Sequence, residues 1–181
     1  MKLVIAPKKF VNDNLGGIAI GLAVALALII LSYVLLHNPH KNLHSQIFTA
    51  ADKIRNYYRD EPGYWKLSTE SAKQNNLLSE ELLSYSEYDL QVGEGIDGAM
   101  ALPMNQTFDI VLKHLNKSAC INLSELAISA EQQLGLQKIT IINGEEETEF
   151  MWGADENPLP IAKYATRDVC KANENIIMWT F

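Results

Sequence analysis

The polarity pattern divides the chain at once. Residues 1–15 mix polar and apolar positions. From Gly16 and Gly17 onward the chain turns apolar, and it carries no charged residue until after Leu36. A helix rises about 1.5 Å per residue, so this run reaches roughly 30 Å, the thickness of a bilayer's hydrocarbon core. Lipid offers the backbone no hydrogen-bond partner, which makes a helix the form for a single span. Small residues recur at Gly17, Gly21 and Ala25 and at Ala19, Ala23 and Ala27. That spacing lets a second helix approach closely, and a plain alanine-rich anchor shows it too. Asn38-Pro39 interrupts the pattern, because proline removes a helix hydrogen bond and clashes with the preceding turn, and a kink is predicted at Pro39. Leu43, Ile47, Ala50, Ala51, Ile54, Tyr57 and Tyr58 then return at helical spacing, with Asp52, Lys53 and Arg55 elsewhere on the wheel. The pattern predicts one long helix from Gly17 to about Arg59, stopped by Asp60-Glu61-Pro62-Gly63.

Beyond the stop the elements shorten. A helix is predicted within residues 68–83 and a short strand over 88–92. Phe108, Ile110 and Leu112 alternate in a strand over 107–115. Asn116-Lys117-Ser118 caps a helix through Cys120, Leu123, Leu126 and Ala127. A strand over 138–142 leads into Asn143-Gly144, the strongest hairpin turn in the chain, with a return strand over 145–152. A second helix over 160–171 holds Cys170. The apolar run 175–181 reads as a strand tied into a sheet. The fold class is α+β, with a long N-terminal transmembrane and amphipathic helix packed on an antiparallel sheet. The divisions are a head or leader over 1–15, a transmembrane helix over 16–36, its amphipathic continuation over 37–59 and a globular domain over 60–181.

Charge sharpens this picture. The 181-residue chain has a net charge of −7, unevenly spread. Lys2, Lys8 and Lys9 precede the apolar run and favour a cytoplasmic N-terminus. After Lys41 the chain carries 11 Lys and Arg against 21 Asp and Glu. A domain that acidic is no phosphate-tracking nucleic-acid binder, so no nucleic-acid partner is expected. The apolar core exceeds the length of a cleaved signal peptide's, and no small-x-small cleavage site follows it. Both cysteines fall in the exported part. An oxidising compartment would pair them, whereas a cytosolic domain would leave two free thiols.

Candidate chemistry is thin. His40 and His44 are four apart, a spacing that binds metal on a helix. With His37 they read instead as a polar collar at the membrane interface. His114 reads as structural. Cys120 as a nucleophile would need a histidine base, and only His114 is near in sequence. The run Glu145–Glu149 reads as a solvated edge that blocks strand pairing, and it lacks the Asp-rich spacing of a calcium loop. No phosphate-binding glycine loop, nucleophile elbow or zinc signature is present. Tyr57, Tyr58, Tyr64 and Trp65 read as core packing. No catalytic residue, metal or cofactor is assigned, and an enzyme is not expected.

The order of elements resembles a type IV pilin of the type IVb, bundle-forming branch. The likeness is clearest in Lys117-Ser118-Ala119-Cys120-Ile121-Asn122-Leu123 and in the stretch from Asp168-Val169-Cys170 to Met178-Trp179-Thr180-Phe181. The resemblance implies a Cys120–Cys170 disulfide. It also implies a processing site at Gly16, Gly17 and Ile18, and a helix-breaking proline where Pro39 stands. The family usually carries a glutamate near the start of the mature helix, but Ile18-Ala19-Ile20-Gly21-Leu22 has no acid. The implied role is a minor or diverged structural subunit of a type IVb pilus or related export fibre, assembling through its apolar helix. Its partners would be membrane lipid, other pilin subunits and the pilus assembly machinery. It would sit in the bacterial inner membrane with the C-terminal domain in the periplasm, or in the extracellular fibre. The alternative is an uncleaved single-span periplasmic accessory or scaffold protein of an envelope complex.

Overall fold

The computed structural model describes residues 22–29, 39–85, 87–95, 106–124, 135–162 and 164–181. The chain divides into two units, Met1–Pro39 and His40–Phe181. In the first, residues 22–29 are helical (α1), and Leu22, Val24, Leu26, Leu28 and Ile29 are each more than half exposed. A helix apolar on all sides is matched to lipid or protein and not to water. Among the described residues no helix is long and apolar enough to cross a membrane. The rest of the expected span, the expected processing site at Gly16, Gly17 and Ile18, and the segment over 30–38 leading into the expected kink at Pro39 lie outside the described residues.

The second unit is α+β. Helix α2 (Pro39–Tyr57) buries Leu43, Ile47, Ala50, Ala51 and Ile54, five of the seven positions in the stripe that the helical spacing predicts. His44 and Phe48 are buried as well, which swings the stripe round the helix and leaves Tyr57 at its margin, more than half exposed. Helices α3 (Thr69–Gln74) and α4 (Glu80–Ser84) stand where one was expected. The Ser68 hydroxyl caps α3 by accepting from the Ser71 N–H, and the Ser79 hydroxyl caps α4 by accepting from the Leu82 N–H. Asn76, at φ 55°, turns the chain between them.

Among the described residues the sheet has five strands: β1 (Leu90–Glu94), β2 (Phe108–Leu115), β3 (Lys138–Asn143), β4 (Glu146–Met151) and β5 (Asn175–Thr180). Their spatial order is β1-β2-β5-β3-β4, and every neighbouring pair is antiparallel. The last strand in sequence is therefore the central one. Its register places Trp179 between Ile110 and Ile139, with Phe150 beyond Ile139. Alternation puts these side chains, with Phe108, Leu112, Ile141 and Ile177, on one face, where they join the α2 stripe in a single core. Phe181 follows β5 and links the layers. Its ring lies 5.5 Å from Phe48 on the helix and 5.3 Å from Phe108 on β2.

Both sheet edges are partly covered. On β1 the Val92 N–H donates to the Thr69 hydroxyl at 2.8 Å, and Ser68 bridges to Gly93. On β4 the Met151 N–H donates to the Asn157 carbonyl at 3.0 Å, and the Leu159 N–H donates back to the Met151 carbonyl at 2.9 Å. The β3–β4 turn falls one residue later than expected. Asn143 pairs with Glu146, so Gly144 takes the first central position with φ 59°. A positive φ there suits a type II′ hairpin turn and a glycine.

Candidate functional site: the disulfide node

Helix α5 (Lys117–Ser124) begins directly after β2. The Asn116 side chain caps it, its Oδ1 accepting from the Ala119 N–H at 2.9 Å. That start places Cys120 in the first turn, pointing into the core with Ala119 and Leu123. Helix α6 (Thr166–Val169) is shorter than the helix expected over 160–171. Pro158 and Pro160 precede it, and Leu159 and Ile161 are drawn into the core before it starts. Cys170 is not within the helix. It caps its C-terminus in extended backbone, with its N–H donating to the Thr166 carbonyl at 2.8 Å.

Cys120 and Cys170 form a disulfide, with Cα atoms 5.9 Å apart and both residues fully buried. The bonded sulfurs cannot serve as a nucleophile, which removes Cys120 as a catalytic group. The bond closes over a sequence separation of 50. In the chain-entropy account a loop of that length is stabilised by about 4 kcal/mol. It ties the start of α5, which leaves β2, to the segment that enters β5.

Two asparagines fix that segment. Asn175 is fully buried. Its Nδ2 donates to the Leu115 carbonyl at 2.7 Å and to the Lys171 carbonyl at 3.0 Å, and its Oδ1 accepts from the Lys171 N–H at 2.8 Å. Asn143, at the end of β3, donates through Nδ2 to the Val169 carbonyl at 2.6 Å. The Lys117 N–H donates to the Ala172 carbonyl at 3.2 Å. The ends of β2, β3 and β5 thus meet the two short helices at one end of the sheet. The sequence reading found the cysteines but missed the asparagines. The polar start of a strand otherwise as apolar as 176–181 was the available signal for Asn175.

The histidines depart from expectation. His44 is buried beside Phe48, with ring centroids 4.6 Å apart, and it belongs to the core and not to a polar collar. Burial disfavours its charged form and lowers its pKa to about 4. His114 is no core residue. It lies exposed where the β2–β5 register shifts between Leu112 and Leu115, and its Nδ1 is 3.0 Å from Glu174 Oε2. Both residues have φ 60°. An exposed pair of this kind is screened and contributes little to stability.

The acidic hairpin is more than a solvated edge. Glu149 reaches the buried Lys138 amine, and Glu146 lies 3.5 Å from the Lys171 amine, while Glu145 and Glu147 remain exposed. Of the expected aromatic cluster, Tyr58 and Tyr64 pack on the core, whereas Tyr57 and Trp65 face solvent. Among the described residues no group of three or more His, Cys, Asp or Glu side chains is placed to hold a metal ion. No protein-family model matches the chain, and no curated protein matches it in sequence.

Proposed function

We propose that this chain is a pilin-like structural subunit, minor or diverged, of a type IVb pilus or a related export fibre. The observation that carries the reading is the buried Cys120–Cys170 bond at the end of an antiparallel sheet under an amphipathic helix. That is the pairing and the layering which the sequence resemblance implies. The outward-facing apolar side chains of α1 support it. Such a helix moves from lipid into a bundle of like helices at little hydrophobic cost, because both surroundings are apolar. Head-to-tail stacking of one surface on another then makes an open helical fibre. In this reading the disulfide node holds the β3–β4 half of the sheet in place for display or contact. Lipid, other subunits and assembly machinery are the partners, and the domain sits outside the inner membrane.

The acid-free stretch from Ile18 to Leu22 favours a second reading, a permanently anchored accessory or scaffold protein of an envelope complex. N-terminal sequencing of sheared surface material and of washed membranes separates the two. A chain beginning at Gly17 or Ile18 in sheared material is the expected result. A chain beginning at Met1 and confined to membranes overturns the fibre reading in favour of the anchor.

A further inference from the structure

Where α2 ends, a cleft of about 580 Å3 opens between its last turns, the turn over 61–64 and the approach to β2. That volume falls within the roughly 300–1,000 Å3 typical of small-molecule sites. Tyr58 and Tyr64 give it ring surface. Asp52, Asn56, Glu61 and Gln106 give it carboxylate and carboxamide groups. Arg55 and Arg59 complete the wall, so two carboxylates meet two guanidiniums and the charge cancels.

The wall is held in place before any ligand arrives. The Tyr64 ring packs on Phe108 at 4.6 Å, and the Arg55 guanidinium lies over the Phe181 ring at 5.7 Å. Burial raises the Tyr64 pKa, and the charge and hydrogen bond of the adjacent Arg55 pull it part of the way back. Arg59 donates through Nη2 to Asn56 Oδ1 at 2.7 Å. Tyr57 and Trp65, next to the two lining tyrosines in sequence, are each more than half exposed and add aromatic surface at this end of the domain.

This combination selects a chemistry. A pyranose ring has flat C–H faces that lie on aromatic rings. Its hydroxyls both donate and accept, and planar carboxylate, carboxamide and guanidinium groups answer them in pairs. A polyanion would face Asp52 and Glu61. An apolar ligand would strip water from four charged side chains without replacing its hydrogen bonds. We propose that this cleft binds a neutral polyhydroxylated ligand, a sugar unit of a glycan. The inference holds equally for a fibre subunit and for a permanent anchor.

The test is saturation-transfer NMR on the full chain in phosphocholine micelles, whose head groups carry no sugar, with N,N′-diacetylchitobiose and cellobiose as probes. Transfer to the pyranose C–H protons at millimolar probe is expected. Arg59→Ala and Asn56→Ala, both at exposed positions, should each weaken binding about tenfold, the loss of one good hydrogen-bonding group. Glu145→Gln, on the distant hairpin, should leave it unchanged. No transfer from either disaccharide overturns the proposal. So does binding that survives both cleft substitutions, or displacement by sodium sulfate, which would mark an anion site.

Discussion

Asn175→Ala tests whether the disulfide node is held by side-chain hydrogen bonds or by the covalent bond alone. The substitution removes two donated bonds and one accepted bond, at 2.7, 3.0 and 2.8 Å. The Leu115 carbonyl belongs to a fully buried residue and loses the Asn175 amide as a donor. The main-chain groups of exposed Lys171 regain water in part. A buried orphan costs about 1–3 kcal/mol and a re-solvated group about 0.5–1.5 kcal/mol, for an expected loss near 3 kcal/mol. On a domain of this size that lowers Tm by about 10 °C. The assay is thermal and urea unfolding of the full chain in micelles, with the disulfide verified intact by mass. Asn175→Asp sharpens the test, because it turns an acceptor toward the two carbonyls that Nδ2 now serves. At neutral pH it should be less stable than Asn175→Ala, and it should recover as acid protonates the new carboxyl. A loss below about 0.5 kcal/mol for the alanine variant, the size of an ordinary surface change, refutes the reasoning. An aspartate variant as stable as the parent refutes it too.

Four further outcomes are expected. Stability should fall as pH drops from about 6.5 toward 4, because His44 binds a proton in the unfolded chain before it does so in the fold; the full effect is on the order of 3 kcal/mol, and His44→Phe should flatten the pH profile of urea midpoints. Replacing both Cys120 and Cys170 with alanine should cost about 4 kcal/mol or more in denaturant titrations. Gly135→Ala should cost about 1–3 kcal/mol by the same measurement, since Gly135 has φ 92° and a Cβ there would collide with the Arg55 guanidinium. Thr140→Val should raise the unfolding free energy by up to about 1 kcal/mol, read as a higher urea midpoint, because the Thr140 hydroxyl is buried without a hydrogen-bond partner among the described residues and valine keeps its shape.

The elements legible in sequence were those whose local pattern and tertiary role agree. The β2 alternation, the Asn116 cap and five of the seven positions in the expected α2 stripe came through in the structure. The cysteine pairing was legible through the resemblance and through the expectation that both cysteines are exported. What failed did so for tertiary reasons. His44 reads as polar by composition, yet its place beside Phe48 depends on where the sheet lies under the helix. The helix expected over 160–171 ignored the pull of the core on Leu159 and Ile161. His114 sits in a strand pattern, but a register shift at the end of β2 turns it outward, and nothing local announces such a shift. Among the described residues, nine of the ten that line the cleft beside α2 come from the stretch 52–64, which reads in sequence as a helix end, a stop and core aromatics, and Gln106 joins them from before β2.

The central position of β5 gives the node its meaning. Strands β1 and β2 pair with each other, as do β3 and β4, and among the described residues only β5 joins the two pairs. Until the last strand in chain order arrives, β2 and β3 each present an open edge of unpaired backbone groups. The joining contacts are also distant in sequence: Asp109 pairs with Thr180, and Thr180 donates to the Asp109 carboxylate at 2.7 Å. Contacts of that range are slow to form, and open edges invite association meanwhile. Cys170 and Asn175 stand at the entrance to β5, and each of them fastens that entrance to the exit of β2. The disulfide cannot close until the β5 segment reaches the β2 exit, and once closed it opposes the strand's escape. The node therefore acts on the one step that completes the sheet, and a bond placed elsewhere in the loop would stabilise the domain without guarding that step.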